Sequence, residues 1–260
     1  MIVLTVGDVI GKPGRQACAR LLPELREKYN PDLVIVNAEN VAGGLGVTPG
    51  TAEELLDAGA DVLTSGNHVW NHKEILPCLE GDMPILRPLN YPPGVPGRGY
   101  IIIGGALVVN LIGRTFMNAY DCPFRAMDRL LGELEDMPSA DIPSAIIVDF
   151  HAEATSEKMA MGHYLDGRVS AVLGTHTHVG TIDTRILPGG TAYVTDIGMV
   201  GPENSVIGDD IEAVLKRFLT MLPNRLSVGK GRTVFNAVLV ETDDTTGRAV
   251  SIDRVTREVD

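Results

Sequence analysis

The stretch "VLGTHTHVG" (Val172–Gly180) places His176 and His178 two residues apart in a chain of 260 residues that has only six histidines. Neutral imidazole is the commonest protein metal ligand. Residues i and i+2 of extended chain point to the same side, so the pair would leave a strand end as a two-pronged fork. The spacing alone equally suits two surface loop histidines, and other residues must decide. Four more strand-like runs end in polar groups: "IVLTV" runs into Asp8, "DLVIVN" into Glu39 and Asn40, "DVLTS" into Asn67 and His68, and "SAIIVDF" into His151. Each has a plain explanation by itself: a helix cap for Asp8, a turn for Asn40, a loop contact for Asn67, a hydrogen-bonded core residue for His151. Together, Asp8, Glu39, Asn40, Asn67, His151, His176 and His178 are an oxygen and nitrogen donor set without thiolate. Such a set suits Mn, Fe or Zn rather than calcium or a structural zinc. It is too large for one closed tetrahedral site and suits two ions about 3.5–4 Å apart that share a carboxylate.

The elements that must position these groups are legible as an alternation. "IVLTV" precedes a helix expected over Pro13–Tyr29, with proline at its start. "DLVIVN" precedes "TPGTAEELLDAGADVLTS", in which Thr51 and Glu54 have capping-box spacing and Gly59 ends the helix before the next strand. "GYIII" and "ALVVNLI" flank Gly104-Gly105 as a hairpin, and Thr155 is expected to cap a helix between "SAIIVDF" and "RVSAVL". "TRILPGGTAYVTD" and "TVFNAVLVETDDTTGRAVSIDRV" have the pattern of late β-hairpins. The βαβα rhythm predicts a largely parallel α/β arrangement: a mixed sheet, or two packed sheets with helices outside. Ligands of open α/β sheets bind at the carboxyl ends of strands, which is where every candidate donor falls.

Bulk properties narrow the function. Hydrophobic content of 44% and charged content of 22% are ordinary for a globular chain, and 260 residues can form one domain over 1–260. No apolar run approaches the twenty residues of a membrane span, and the N-terminus lacks the basic start of a signal peptide. Cys18, Cys78 and Cys122 are odd in number and widely spaced, so a reducing cytoplasm is expected rather than a disulfide framework. The net charge of −12 argues against long nucleic acid as a partner. It does not exclude a small phosphate ester, because two divalent ions on two carboxylates leave a local charge of roughly +2. A closed homo-oligomer is compatible with the composition, but its symmetry is not encoded visibly.

The ordered series Gly7-Asp8, Gly66-Asn67-His68, His151 and Gly174–His178 resembles the motifs of the calcineurin-like metallophosphoesterases. "GDVIGKPGR", "NAEN", "TSGNHVW", "DFHAEATSEK", "GTHTHV" and "TDIGMVGP" are similar to its bacterial YmdB-like branch over nearly the whole chain. Ile10 stands where the wider superfamily has a histidine, and Glu39-Asn40 where it has an aspartate. The resemblance implies a central β-sandwich of mixed sheets flanked by helices. It implies one ion held by Asp8, Glu39, Asn40 and His178, and another by Glu39, Asn67, His151 and His176, with Glu39 bridging. The harder oxygen ligation favours Fe or Mn, with Zn as the further choice. The expected chemistry is in-line attack on phosphorus by a hydroxide shared between the ions, with His68 as the general acid for the leaving alkoxide. His68 could instead orient a neighbouring ligand. The implied substrate is a small phosphodiester, in particular a 2′,3′-cyclic nucleotide. Rival functions are a phosphomonoesterase of the same dinuclear type and a non-catalytic metal- and nucleotide-sensing regulator. Arg114, Arg125 and Arg168 are candidates for phosphate contact, whereas His72 and His163 have no motif support. "AGGLGV" (Ala42–Val47) lacks a P-loop lysine and is expected to be a mobile rim, with "GPENSVIG" (Gly201–Gly208) as another rim loop.

Overall fold

A computed structural model describes residues 1–138 and 142–260. The first sheet contains β1 (Ile2–Val6), β2 (Asp8–Val9), β3 (Leu33–Asn37), β4 (Val62–Thr64), β11 (Met199–Pro202), β12 (Thr233–Thr242) and β13 (Ala249–Val259). Its order is β2-β11-β12-β1-β3-β4, with β13 paired to β12. The second contains β5 (Tyr100–Ile103), β6 (Ala106–Ile112), β7 (Ala145–His151), β8 (Ala171–Thr175), β9 (Arg185–Ile186) and β10 (Ala192–Val194), in the order β5-β6-β7-β8-β10-β9. β1, β3 and β4 are parallel, as are β6, β7, β8 and β10. β5–β6, β9–β10 and β12–β13 are antiparallel hairpins, β12 is also antiparallel to β1 and β11, and the edge strand β2 is parallel to β11. The mixed double sheet is the sandwich that the sequence led one to expect.

Strict alternation along the strands builds the layers. Val3, Leu33, Ile35 and Val62 of the first sheet meet Val108, Ile147, Ala171 and Leu173 of the second in one buried cluster. Their chain neighbours Leu4, Val34 and Val36 face outward onto helices α1 (Gly11–Tyr29) and α2 (Pro49–Asp57). Val109, Val148 and Phe150 do the same for α4 (Pro123–Glu135) and α5 (Thr155–Leu165). Both faces of each central strand are therefore buried, which is why these strands read as unbroken apolar runs. Each buried Val, Leu or Ile contributes roughly 1.5–3 kcal/mol, so a few of them offset an appreciable cost at the polar strand ends. α3 (Leu76–Glu80) and α6 (Ile211–Thr220) are the other α-helices among the described residues. None of the described helices is long and apolar enough to cross a membrane.

Helix starts differ from expectation. α1 begins two residues before Pro13, at Gly11 with φ 52°. α2 is capped by Thr48, not Thr51: the Thr51 amide donates to Thr48 Oγ1 (3.3 Å) and the Thr48 amide to Thr51 Oγ1 (2.9 Å). Pro49 as the first helical residue moves the start forward, and Glu54 pairs with Arg15 instead. Thr155 is the first residue of α5 and makes no cap bond, since Ala154 occupies the cap position. Gly104 and Gly105, at φ 58° and 80°, form the expected tight β5–β6 turn.

Candidate metal centre

The carboxyl ends of β1, β3, β4, β7 and β8 meet at one edge of the sandwich and bring the predicted donors together. Asp8 Oδ1 lies 3.6 Å from His178 Nε2 and 3.8 Å from His151 Nδ1. Glu39 Oε1 lies 3.6 Å from His151 Nε2, which in turn is 3.0 Å from His176 Nδ1. Gly66, just before Asn67, packs directly on His151: a Cβ there would sit 2.2 Å from the imidazole. The β8 fork forms differently from expectation. The strand stops at Thr175, and His176 and His178 lie beyond it at φ 94° and 65°. Left-handed backbone at two non-glycine residues, not strand pleating, turns both rings inward. Such strain persists where the surroundings over-determine it, often at functional sites.

Asp8 Oδ1, Glu39 Oε2 and Asn67 Oδ1 are buried oxygens with no hydrogen-bond partner. An unmade buried hydrogen bond costs roughly 1–3 kcal/mol per group, so three of them on adjacent strand ends point to a missing partner that supplies positive charge. Burial raises the Asp8 carboxyl to about 6 and also raises Glu39 well above the usual carboxylate range. Burial likewise pushes His151 and His176 down. Without a cation the pocket thus resists both carboxylate and imidazolium, whereas metal ligation requires carboxylate and neutral imidazole together. Among the described residues, no three His, Cys, Asp or Glu side chains stand in an arrangement that would by itself hold a metal ion. That finding and the orphaned oxygens pull in opposite directions. The orphaned oxygens carry more weight, because two of the expected donors are asparagines and the 3.6 Å separations of Asp8 from His178 and of Glu39 from His151 Nε2 suit atoms sharing an ion. The residues present fit a pair of cations.

Asn40 has its own geometry. Its Oδ1 lies 2.9 Å from His68 Nδ1 and its Nδ2 3.2 Å from His178 Nε2. To offer oxygen beside His178 the amide must turn over, an orientation set by the hydrogen-bond network around it. His68 backbone N–H donates to Glu39 Oε1 at 2.6 Å, so the same residue orients the carboxylate expected to bridge. Its imidazole is lowered to about 4 by burial first and by His176 and His178 next. It is therefore neutral at neutral pH.

Several supporting residues escaped the sequence reading. Asp149, on β7, accepts from Asn37 Nδ2 (2.9 Å), Thr64 Oγ1 and Thr175 Oγ1 (2.6 Å), stitching the two sheets beneath the site. Thr175 Oγ1 also lies 3.1 Å from His151 Nδ1. With its own proton given to Asp149, Thr175 can only accept, so His151 carries its proton on Nδ1 and presents a bare Nε2. Asp196 takes Lys158 Nζ (2.8 Å), Thr177 Oγ1 (2.7 Å) and the Thr177 amide (3.1 Å), fastening the loop between the two histidines. Four buried carboxylates around the site, Asp8, Glu39, Asp149 and Asp196, face one buried lysine. Two divalent ions, if held there, would leave a single net positive charge, less than the +2 that Asp8 and Glu39 alone suggest. Asp196 follows β10, so the strand-end rule applied to a sixth strand would have found it.

A cavity of about 410 Å³ opens on the site and is walled by Asn40, His68, Glu153, His176, His178 and Asp209 among others, with no Lys or Arg in its lining. Glu153 Oε2, a further unpredicted neighbour, lies 3.1 Å from His176 Nε2. Arg168 is engaged by Asp128 instead (2.8 Å), and neither Arg114 nor Arg125 lines the cavity. His72 faces the Leu45 carbonyl and His163 lies exposed on α5. A cavity of about 580 Å³ beside α6 contains none of the predicted donors.

Comparison with known proteins agrees with this architecture. A hypothetical protein from Thermus thermophilus, of known crystal structure, superposes with TM-score 0.91 at 47% identity, covering 99% of each chain. A crystal structure described as a novel phosphatase from Mycoplasma pneumoniae gives TM-score 0.91 at 34% identity, covering 99% of this chain and 93% of that one. The 2′,3′-cyclic-nucleotide 2′-phosphodiesterase of Bacillus subtilis (strain 168) is 47% identical over 98% of this chain and 96% of its own. The family model described as YmdB-like protein matches residues 4–255, and the chain belongs to that family.

Proposed function

We propose that the chain, acting as one domain, is a metal-dependent phosphodiesterase that opens 2′,3′-cyclic nucleotides at the 2′ bond. The observation that carries this is the convergence of three orphaned buried oxygens, on Asp8, Glu39 and Asn67, with the imidazoles of His151, His176 and His178. The activity of the B. subtilis relative supplies the substrate class. The lining favours a diester over a monoester: a cavity without Lys or Arg has little to clamp a dianion beyond its cations, whereas a diester carries one negative charge.

The residues that would hold the cations are Asp8, Glu39, Asn40 and His178 on one side and Glu39, Asn67, His151 and His176 on the other, with Fe or Mn as the favoured metals. When bound, the pair supplies an activated water and spreads charge from the phosphoryl oxygens. The chain's own contribution is orientation and proton management. Thr175 keeps the proton of His151 on Nδ1, and the Asp196–Thr177 bonds fix the turn from which His176 and His178 project. With the Asn40 amide turned so that its oxygen lies beside His178, its Nδ2 donates to His68 Nδ1, which leaves the one proton of the neutral ring on Nε2. The free enzyme holds this ring neutral, and its Nε2–H is the hydrogen it would offer to the leaving alkoxide. A neutral, fixed ring in the free enzyme also keeps the second role open, that of holding Asn40 and Glu39 in place.

The test is hydrolysis of 2′,3′-cyclic AMP by Mn²⁺-reconstituted protein, with the products separated. Release of 3′-AMP is expected. Turnover of monoesters in preference to diesters moves the assignment to a phosphomonoesterase, and no turnover of either moves it to a sensing role.

A further inference from the structure

Two glycine-containing loops flank the cavity, and each holds an apolar side chain out of the core. In Ala42–Val47, Gly43, Gly44 and Gly46 adopt φ 69°, 100° and 75°. The loop is closed by Ala42 N–H to Gly46 O (2.9 Å) and Gly46 N–H to Glu39 O (2.7 Å). It is braced by His72 Nε2 against Leu45 O at 3.0 Å. The expected mobile rim is thus tied down, and what it displays is Leu45, 51% exposed. Ile207, which lines the same cavity, has φ 50°, an outlier for a β-branched residue. Its carbonyl accepts from His178 Nδ1 at 2.7 Å, which accounts for the backbone but not for the side chain. Glycine would meet the backbone demand without strain, yet an isoleucine stands there, 49% exposed. Both Leu45 and Ile207 line the cavity that contains His68, His176 and His178.

We propose that Leu45 and Ile207 form an apolar seat for the nucleobase of the substrate, beside the donors that take its phosphate. The identity of that substrate rests on the function proposed above. Apolar walls read the faces of a base rather than its edges, so the seat accepts all four bases and favours purines for their larger buried area.

The test is calorimetric titration of the Mn²⁺-loaded full chain with adenosine 3′-monophosphate and, separately, with inorganic phosphate. Leu45→Ala and Ile207→Ala each weaken nucleotide binding about tenfold and leave phosphate binding within about twofold, in line with pocket contacts of this size. Both side chains are half exposed, so truncation spares the core, and Ile207→Ala retains the carbonyl that His178 uses. Leu45→Met, similar in volume, keeps the nucleotide affinity. Unchanged nucleotide binding in both alanine variants overturns the seat, as does equal weakening of nucleotide and phosphate. These affinities are readable without turnover. Failure to hydrolyse cyclic nucleotides therefore removes the proposed reaction while the seat stands or falls on the titrations.

Discussion

Two buried carboxylate clusters lie in the same sandwich and differ in one respect. Asp149 has donors from Asn37, Thr64 and Thr175, and Asp196 from Lys158, Thr177 and the Gly198 amide. Asp8 and Glu39, at neighbouring strand ends, each keep one buried oxygen without a partner, and Asn67 adds a third. The satisfied cluster needs nothing from outside and ties the two sheets together. The unsatisfied one is stable only because the core around it is large, and a ligand of positive charge would complete it. Burial alone therefore does not distinguish a structural carboxylate from a functional one; the count of donors does.

The largest effect that sharpens this contrast is expected at Glu39. Glu39→Gln should lower kcat/KM roughly 10³-fold or more by removing the carboxylate expected to serve both cations. In metal-stripped protein the same change should raise the melting temperature, because it removes a carboxylate whose charge burial disfavours and one of whose oxygens has no donor. Asp149→Asn should do the reverse, destabilising stripped and loaded protein alike by roughly 1–3 kcal/mol, since it disrupts a network in which every donor was used. If both variants shift stability in the same direction, the distinction between the clusters is wrong.

Next in size is His68→Ala, with a loss of roughly 10²–10⁴-fold in kcat at unchanged metal content if the ring acts as general acid. Loss of metal in the same variant assigns the ring to holding Asn40 and Glu39. Smaller is Thr175→Val, which removes the acceptor for His151 Nδ1–H and should weaken metal binding roughly 10–100-fold, with Thr175→Ser restoring it. The smallest effect is on pH dependence. The Asp8 carboxyl is raised to about 6 in the fold, so between its unfolded value and 6 the native state holds the extra proton. Burial depresses His68, His151 and His176, which act in the opposite sense, so the Asp8 contribution is read as the stability of metal-stripped protein minus that of metal-stripped Asp8→Asn, a difference that should fall as pH rises through that window. Denaturant melts at pH 4.5 and 7 check the sign.

How much of this was legible in the sequence follows from the range of each interaction. The strands were readable because residues such as Val34 to Val36 are buried on both faces and leave an unbroken apolar run. The donors were readable because polar residues directly after such runs are out of place in a core. Helix caps were not, since Thr48 and Thr51 trade side-chain bonds that a Thr–Glu spacing rule does not anticipate. The roles of Asp149, Thr175 and Lys158 depend on contacts across the two sheets, and no local pattern encodes those. The left-handed turns at His176 and His178 were hidden for the same reason: the bonds from Asp196 that hold the intervening Thr177 come from another strand end.

The central claim is that the orphaned oxygens await cations, and the most direct measurement is the number of Mn²⁺ ions bound per chain after stripping and equilibrium dialysis. The account predicts two bound ions for the unaltered protein and fewer for Glu39→Gln. Absence of tight binding in the unaltered protein, or the same stoichiometry in Glu39→Gln, would contradict it.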